Sequence, residues 1–400
     1  MSTQGGRGRQ RAVAALTLLA LATVCCGRSR RVPPITAQPQ SYGRFDPVVS
    51  YLRSQVDSAF PSAVVAVGYR DSVVLLAAVG HYSADDKRPV TTETIYDLAS
   101  LTKVIGLTTA AMMLVDSGKL DLDAPVQRYV PAFQGANKER VLIRHLLTHS
   151  SGMPAWRPLY AEAANREQAL ALVDTTALLR QPGDTFVYSD LGAIALTQAV
   201  EAITGRRLNE FLDAELFGPL GMTSTRFLPP ESWRSRIAPT ENDTVFRHRL
   251  LHGEVHDENA GRLGGVSGHA GLFSTAPDLA RFALWLLDVR AARTPPSAAP
   301  RRPSPPIVQE FTRRQSIPAG SSRALGWDTP SENSSAGTKM GPNAFGHTGF
   351  TGTSIWLDPD RDLFIILLTN RVNPTRTNTR IFQVRRRVAD LVNDALTPPP

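Results

Sequence analysis

The length, composition and charge of the chain indicate a globular protein and exclude an obvious nucleic-acid partner. Of its 400 residues, 42% are hydrophobic, which is enough for a large core and for one to three domains. The formal net charge of +8 at pH 7 comes mostly from residues 1–31, which hold six arginines and no acid. The remaining 38 basic and 36 acidic residues leave a charge of about +2, far from the basic surface that nucleic-acid binding requires.

The first 27 residues have the pattern of a secretory signal peptide. Three arginines precede the uncharged apolar run 12–24, which is too short to span a bilayer. Residues 28–41 are polar and contain prolines, as in a linker. We therefore expect a signal peptide or lipoprotein signal at 1–27 and an exported protein in the periplasm or cell envelope.

Both cysteines of the chain, Cys25 and Cys26, lie at the end of this signal. Either is a candidate for lipid attachment, although Val24 is bulkier than the residue usual before such a cysteine. Cleavage after Ala22 is the alternative. The residues that follow this segment contain no cysteine, so a disulfide is excluded there.

Hydrophobic periodicity predicts strands at both ends of the chain and helices between them. A helix at 45–60 is followed by a hairpin of strands at 63–69 and 73–79, and strands at 353–357 and 363–369 precede a last helix at 378–396. Helical patterns also occur at 141–149, 167–179, 191–204, 208–216 and 278–287. We predict one α/β (α+β) domain, residues 42–396, in which an antiparallel sheet from the N- and C-terminal segments carries an inserted, mainly helical region.

Residues 291–306 interrupt this pattern. They are rich in proline, arginine, serine and alanine and show no apolar period. We predict that they form a disordered insertion inside the domain.

The segment 96–120 contains the strongest candidate for chemistry. Residues 104–115 carry no charge and are apolar on all sides of a helix, which predicts a buried helix ending near Gly118. Ser100 and Lys103 lie three residues apart in its first turn and therefore on one face. Burial favours the neutral form of a lysine, which accepts a proton. The pair is a candidate nucleophile and base, although serine and lysine also occur at this spacing by chance.

Two further triplets hold residues suited to the same chemistry. Residues 188–190 (Tyr-Ser-Asp) follow a turn and precede a helix, where a phenol can project into a cleft. Residues 347–349 (His-Thr-Gly) precede the predicted strand at 353–357. Each triplet is weak alone, since a tyrosine also packs at helix starts and a His-Thr-Gly sequence also forms turns.

Together and in this order, the three motifs resemble those of the serine β-lactamase and penicillin-binding protein superfamily, in its class C β-lactamase-like branch. The resemblance extends over residues 45–392. Phrases that carry it are TIYDLASLTKV, RHLLTHSSGMP, PGDTFVYSDLG, GGVSGHAGLFSTAPDLARF and FGHTGFTGTSIWLDPDRDLFIILLTNR. The relatives that it implies include D,D-peptidases and esterases.

The resemblance implies an acyl-transfer mechanism. Ser100 would attack a carbonyl and become acylated, with Lys103 and Tyr188 sharing the removal of its proton and the return of that proton to the leaving group. The backbone N–H groups of Ser100 and Phe350 would form the oxyanion hole.

For substrate binding, the resemblance implies roles for Asp190, His347, Thr348 and Gly349. His347 and Thr348 would hold a carboxylate or a distant carbonyl, and Gly349 would leave room for a close approach. Asp190 stands where the family usually has Asn, and we expect it to favour the protonated form of the motif lysine and so to shift the base role towards the tyrosine. His347 stands where β-lactamases of this branch usually have Lys, which favours peptidase or esterase chemistry over antibiotic hydrolysis.

Histidines at helical spacing raise the alternative of a metal site. Two series have a spacing of four residues, namely His145 and His149, and His248, His252 and His256. The first series lies in a family-like phrase, where a structural role is favoured, and the second lies in a polar, irregular stretch. Residues 256–258 (His-Asp-Glu) are instead candidates for the rim of the cleft. We expect no metal and no cofactor.

These observations lead to one expected function with alternatives. We expect an exported serine hydrolase that forms an acyl-enzyme on Ser100 and acts on cell-wall peptides ending in D-Ala-D-Ala. A carboxylesterase and a weak class C-like β-lactamase are the alternatives among enzymes, and a non-turnover penicillin-binding sensor is the alternative from another class. The presence of Ser100, Lys103 and Tyr188 together favours turnover, because a degenerate module is free to lose any of them. The substrate depends on the loops at 152–166 and 245–260.

Overall fold

A five-stranded antiparallel sheet joins the two ends of the chain in this computed structural model, which describes residues 41–293 and 303–397. The strands are β1 (Ser62–Tyr69), β2 (Ser72–Gly80), β3 (Tyr96–Asp97), β4 (Arg226–Phe227), β5 (Asn242–Asp243), β6 (Arg249–Leu250), β7 (Leu272–Ser274), β8 (Phe345–Thr348), β9 (Ser354–Asp358) and β10 (Leu363–Thr369). The large sheet has the order β2-β1-β10-β9-β8, and each neighbouring pair is antiparallel. The predicted sheet built from the N- and C-terminal segments is therefore confirmed.

Most of the helices lie between β2 and β8, and one further helix at each end of the domain, before β1 and after β10, also flanks the sheet. They are α1 (Asp46–Gln55), α2 (Thr109–Asp116), α3 (Ile143–Leu147), α4 (Leu159–Glu162), α5 (Arg166–Thr175), α6 (Asp190–Thr204), α7 (Leu208–Leu212), α8 (Glu258–Arg262), α9 (Ala276–Arg290), α10 (Pro305–Thr312) and α11 (Ile381–Leu396). Wider, π-helical turns occur at Lys103–Thr108 and Asp213–Phe217. The inserted helical region thus lies where the sequence predicted it.

Alternate residues of the central strands face two separate cores, which explains why these strands are apolar without interruption. Val64 and Ala66 of β1 belong to the core that contains α9 and the inserted helices. Val65 and Val67 belong to the core that contains α1 and α11. The sheet is therefore the middle layer of three, with the inserted region on one side.

Several predicted helices end earlier in the structure than their apolar pattern does. α1 stops at Gln55, although the prediction continues to 60, because Val56 is extended with a ψ of 140°. α5 stops at Thr175, before the predicted 179, because Thr176 is extended with a ψ of 123°. Phe60 is nevertheless buried in the core. After α5, in contrast, Leu179 is exposed, so an apolar residue in the sequence shows neither that the helix continues nor that the side chain is buried.

The predicted disordered insertion, 291–306, differs from the structure at its C-terminal end. Residues 294–302 lie outside the described part of the chain. Pro305, however, begins α10, whose Val308 and Phe311 are fully buried. The prolines suggested disorder in the sequence, yet proline suits the first turn of a helix, where its missing N–H has no partner to lose.

The predicted signal peptide and nearly all of the predicted linker, with Cys25 and Cys26, lie outside the described residues, which begin at 41. Export and lipid attachment therefore stay predictions. Over the ranges 41–293 and 303–397, no helix is long and apolar enough to cross a membrane.

Candidate active site

Ser100 follows a sharp turn between a short strand and a buried helix. β3 ends at Asp97, and Ala99 adopts the left-handed conformation with a φ of 45°, which is uncommon for a residue with a Cβ. The Asp97 carboxylate holds this turn by accepting the N–H of Ala99 at 2.8 Å and that of His256 at 2.7 Å. The turn places Ser100 at the helix start and at the wall of a cleft.

The helix after Ser100 is wider than the predicted α-helix. Its π-helical turn begins at Lys103 and runs into α2. The Thr109 hydroxyl donates to the carbonyl of Val104, five residues earlier, at 3.0 Å. Gly106 lets another helix approach, since a Cβ there would lie 3.1 Å from Leu212 Cδ1. Such turns often occur at functional sites, and this one sets where the lysine side chain emerges.

Lys103 is buried and contacts three oxygen atoms. Its Nζ donates to Ser100 Oγ at 3.0 Å and to the carbonyl of His269 at 2.9 Å, and it lies 2.7 Å from Asp190 Oδ1. Burial lowers the pKa of Lys103, but the negative charge of Asp190 and a further contribution from Tyr188 outweigh it and hold this pKa above its usual value. Lys103 therefore keeps its proton at neutral pH, which leaves Tyr188 as the candidate base.

Tyr188 lies between two imidazoles and beside Lys103. The centroid of its ring is 4.4 Å from that of His149 and 5.9 Å from that of His347. Lys103 Nζ lies 5.0 Å from the same centroid. The buried Tyr188 hydroxyl has no hydrogen-bond partner among residues 41–293 and 303–397. An unpaired buried hydroxyl costs stability, and this one lies beside the Lys103 ammonium, which makes it a candidate for proton transfer.

The residues beside Tyr188 begin α6. Ser189 caps this helix, because its Oγ accepts the N–H of Gly192 at 3.1 Å. Asp190 is the first residue of the helix, where negative charge is favoured. The middle residue of this motif is therefore structural, whereas the residues on either side of it reach Lys103.

His347 lies on the edge strand β8 and is buried. Its Nδ1 lies 2.9 Å from the carbonyl oxygen of Thr348, which can only accept, so Nδ1 carries the proton and Nε2 of the neutral ring is an acceptor. Burial, with the positive charges of Arg323 and Lys103, holds the pKa of His347 well below its usual value. A neutral ring of this tautomer presents an acceptor at Nε2, and the substrate-binding role implied for His347 and Thr348 stays a prediction.

The fold itself requires a glycine at position 349, and the predicted role of Gly349 in leaving room for a substrate stays a prediction. A Cβ at this position would lie 2.4 Å from the carbonyl oxygen of Leu98 and 2.1 Å from Thr353 Oγ1. The turn after β8 therefore packs directly against the segment that carries Ser100. This contact fixes the distance between the first and third motifs.

Two main-chain N–H groups at the cleft are free to bind an oxyanion. Within residues 41–293 and 303–397, neither Ser100 nor Phe350 donates its N–H to another group. Both residues line the same cleft. Arg385 Nη2 donates to the carbonyl of Gly349 at 2.6 Å. Because the N–H of Phe350 points away from that carbonyl across the planar peptide, Arg385 fixes the direction of this N–H.

The cleft has a volume of about 340 Å³, and its lining includes three arginines against one aspartate, Asp328. Arg371 and Arg385 both donate to main-chain carbonyls. Arg323 is buried, and its guanidinium lies 3.8 Å from Asp328 and 5.9 Å from the Tyr188 ring centroid. Its Nε has no partner in the described part of the chain. The charge of Arg323 is thus only partly compensated, and the sequence analysis missed this residue because it belongs to no motif.

The histidines at helical spacing have separate partners. His145 Nδ1 accepts the N–H of Leu142 at the start of α3, at 3.2 Å, and His149 packs on the Tyr188 ring. His256 Nε2 lies 2.8 Å from Glu241, and its ring stacks on Phe350 with centroids 5.6 Å apart. Across 41–293 and 303–397, no three His, Cys, Asp or Glu side chains are grouped to hold a metal.

An antiparallel sheet covered by helices, with a serine and a lysine beside its edge strand, defines the architecture of a β-lactamase-type serine hydrolase. The beta-lactamase family model matches residues 48–390, and the chain belongs to this family. A protein of Salmonella typhimurium named "Putative D-alanyl-D-alanine carboxypeptidase" is 30% identical over 389 residues, covering 86% of this chain and 88% of that protein.

Two solved structures are similar in fold. A penicillin-binding protein homologue from Caulobacter crescentus has a TM-score of 0.70 at 19% identity and covers 90% of this chain and 99% of that chain. A class C β-lactamase from Rhodobacter sphaeroides has a TM-score of 0.66 at 20% identity, and the match covers 88% of this chain and 99% of that chain. The predicted family, fold class and serine hydrolase assignment are therefore confirmed.

Replacing Asp190 by asparagine tests whether its charge keeps Lys103 protonated. Asp190→Asn keeps the shape of the side chain but removes the charge that raises the pKa of Lys103, so burial then lowers this pKa. If activity needs the charged lysine, the alkaline limb of the plot of kcat/KM against pH moves to lower pH, by about 1–3 units. Asp328→Asn, at a cleft carboxylate outside the contacts of Lys103, is the control. An unchanged profile would contradict the idea.

Proposed function

We propose that this protein is an exported serine hydrolase that acts as a D-alanyl-D-alanine carboxypeptidase through an acyl-enzyme on Ser100. The observation that carries the proposal is the hydrogen bond from Lys103 Nζ to Ser100 Oγ, at 3.0 Å, at a cleft that holds an undercompensated arginine. The name of the Salmonella relative supports the substrate. Export rests on the composition of residues 1–27.

The proposed reaction uses Tyr188 as the base and Lys103 as a fixed positive charge. Tyr188 acts as the phenolate: Ser100 Oγ attacks the carbonyl of the penultimate D-alanine while the serine proton passes to the phenolate oxygen and makes Tyr188 a neutral phenol. The ammonium of Lys103, 5.0 Å from the ring centroid, stabilises negative charge on the phenol oxygen. The C–N bond then breaks, and Tyr188 returns the proton to the amine of the leaving D-alanine. Water attacks the acyl-enzyme in the second half-reaction and regenerates Ser100.

The charge of the cleft supports a substrate that ends in a carboxylate. Arg323 lines the cleft, with Nη2 donating to the carbonyl of Gly326 at 3.2 Å and Nη1 3.8 Å from Asp328, and a guanidinium binds a carboxylate through charge-assisted hydrogen bonds. The cleft also contains the Thr348 hydroxyl. A peptide ending in D-alanine supplies the required negative charge next to the scissile bond, whereas a simple ester does not.

Replacing Arg323 by glutamine tests this preference directly. For a peptide ending in a free D-Ala-D-Ala carboxylate, Arg323→Gln is expected to raise KM by about 10- to 100-fold, because a hydrogen bond to a charged group contributes about 1.5–3 kcal/mol. The KM for the same peptide with an amidated end is the control and should change by less than about twofold. Equal changes in KM for the two peptides would show that Arg323 does not bind the terminal carboxylate.

A carboxylesterase is the second candidate, and the aromatic rim of the cleft favours it. Phe350 and Phe382 line the cleft with 47% and 57% of their surface exposed. Phe186 lies beside His149 and is 42% exposed. Exposed aromatic side chains at a cleft bind apolar groups. Initial rates on a D-Ala-D-Ala peptide, a short-chain nitrophenyl ester and a chromogenic cephalosporin would rank the candidates.

A further inference from the structure

The buried His269 and the half-buried Asp257 form a pair behind Lys103 that the proposed reaction does not use. The carbonyl of His269 accepts from Lys103 Nζ at 2.9 Å. Its imidazole is held on both sides, with Nε2 2.9 Å from Asp257 Oδ1 and Nδ1 2.7 Å from Ser267 Oγ. Only 1% of the surface of His269 is exposed. Because the ring and the carbonyl belong to one residue, the contacts that fix the ring also fix the carbonyl.

Asp257 is anchored to the rest of the fold. It caps α8, since Oδ1 accepts the N–H of Ala260 at 2.7 Å, and its own carbonyl accepts Arg247 Nη2 at 3.1 Å. Burial raises the pKa of the Asp257 carboxyl, but the charge and hydrogen bond of His269, together with the charge of Lys103, hold it well below its usual value. Asp257 is therefore ionised, and its negative charge acts on Lys103.

The loop that carries His269 is also pressed against the helices on its other side. The N–H of Gly268 donates to Thr197 Oγ1 of α6 at 3.0 Å. A Cβ at Gly268 would lie 2.4 Å from that oxygen and 2.7 Å from Leu107 Cδ2 in the π-helical turn. The loop is thus held between α6 on one side and the Asp257 carboxylate on the other. These contacts restrict the position of the His269 carbonyl.

This carbonyl is the main-chain acceptor beside the lysine. An ammonium has three N–H donors, and the Nζ of Lys103 lies near oxygen atoms of Ser100, Asp190 and His269, with a further interaction from Tyr188. If the carbonyl moved, the closer and charged Asp190 would draw the ammonium away from Ser100. The carbonyl therefore helps to set the direction of the N–H that reaches Ser100.

We propose that Asp257 and His269 are positioning residues for Lys103, holding the carbonyl that keeps its Nζ directed at Ser100. The inference rests on the proposed function, because it requires Lys103 to assist the acylation of Ser100. A purely structural role for the pair would lower the stability of the loop without changing the reactivity of Ser100. A positioning role therefore predicts that disrupting the pair slows the acylation of Ser100, and a structural role predicts that the acylation rate is unchanged.

The test uses the full-length protein and the variants His269→Ala, His269→Gln, Asp257→Asn and the double variant His269→Ala/Asp257→Asn. A fluorophosphonate probe reports the rate of Ser100 labelling without reference to the natural substrate, and kcat, KM and the midpoint of thermal unfolding are measured beside it. His81→Ala is the matched control, since His81 lies 3.0 Å from Asp57 in a pair outside the cleft lining.

We expect His269→Ala to be labelled about 10- to 100-fold more slowly, because small displacements of a catalytic group cost rate, with kcat reduced and KM within about twofold. His269→Gln should recover part of the rate, since its amide can donate to Asp257. The double variant should be no slower than the slower single variant, because the two side chains act as a unit.

The outcomes separate the two proposals. Labelling of His269→Ala and Asp257→Asn at the wild-type rate, even with a lower unfolding midpoint, assigns the pair to stability alone and overturns the inference. A wild-type protein that the probe does not label overturns the proposed function and the inference with it. If His269→Ala does not fold, Asp257→Asn, which keeps the side-chain shape, decides the question. Slower labelling of Asp257→Asn supports the inference, and labelling at the wild-type rate overturns it.

Discussion

Replacing Ser100 by alanine is expected to abolish the acyl-enzyme and to reduce turnover by at least about 10³-fold. The variant removes the oxygen that Lys103 contacts at 3.0 Å and leaves the left-handed turn at Ala99 in place. Mass spectrometry of the intact protein after incubation with an acylating substrate measures the adduct, and initial rates measure turnover.

A serine elsewhere in the same cleft provides the control for this variant. Ser335 lines the cleft, but its Oγ accepts the indole N–H of Trp356 at 2.9 Å. Ser335→Ala should therefore keep both the adduct and most of the activity. A Ser100→Ala protein that still gained the mass of the acyl group would exclude Ser100 as the nucleophile.

Replacing Tyr188 by phenylalanine is expected to reduce kcat by about 10²- to 10⁴-fold, the usual size of a general acid–base contribution. The ring should stay between His149 and His347, so KM and the midpoint of thermal unfolding should change little. The lost hydroxyl has no hydrogen-bond partner in the described part of the chain, so no fold contact goes with it. Steady-state kinetics and thermal unfolding measure these effects.

Tyr129→Phe is the matched control for this second substitution. The Tyr129 hydroxyl accepts the N–H of Asp121 at 2.9 Å, away from the cleft lining. Its removal should cost some stability and leave kcat unchanged. An unaltered kcat in Tyr188→Phe would instead return the base role to Lys103, despite the charge that Asp190 places beside it.

The hydrophobic pattern predicted the large sheet because its strands are short, continuous apolar runs, which are typical of buried strands. The prediction for 363–369 coincides with β10, in which every residue is buried. The same patterns failed at helix ends, where backbone turns at Val56 and Thr176 stop the helix although apolar residues follow in the sequence. They also missed the π-helical turn at Lys103, which depends on packing against α7.

The residues of the candidate site also fall into two groups, those that the sequence predicted and those that it did not. Ser100, Lys103 and Tyr188 were found because their motifs occur in a fixed order along the chain. Arg323 and His269 were not found, since each acquires its place only through contacts with distant segments. His269 is 166 residues from Lys103 in sequence, and no local spacing joins them. His269 lies within SGHAGLF, part of a phrase that carries the family resemblance, and this position was a signal in the sequence that the histidine contributes to the site.

The sheet order also governs when the protein becomes reactive during its synthesis. β1 forms hydrogen bonds with β10, and β8 reaches the sheet only through β9 and β10. A nascent chain that already contains Ser100 and Tyr188 therefore has neither its third motif nor a partner for one edge of β1. Pairing over such sequence distances folds slowly and leaves strand edges open to other chains. The C-terminal strands must therefore be present and paired before Ser100 gains its neighbours, so the site assembles only when both ends of the domain have come together.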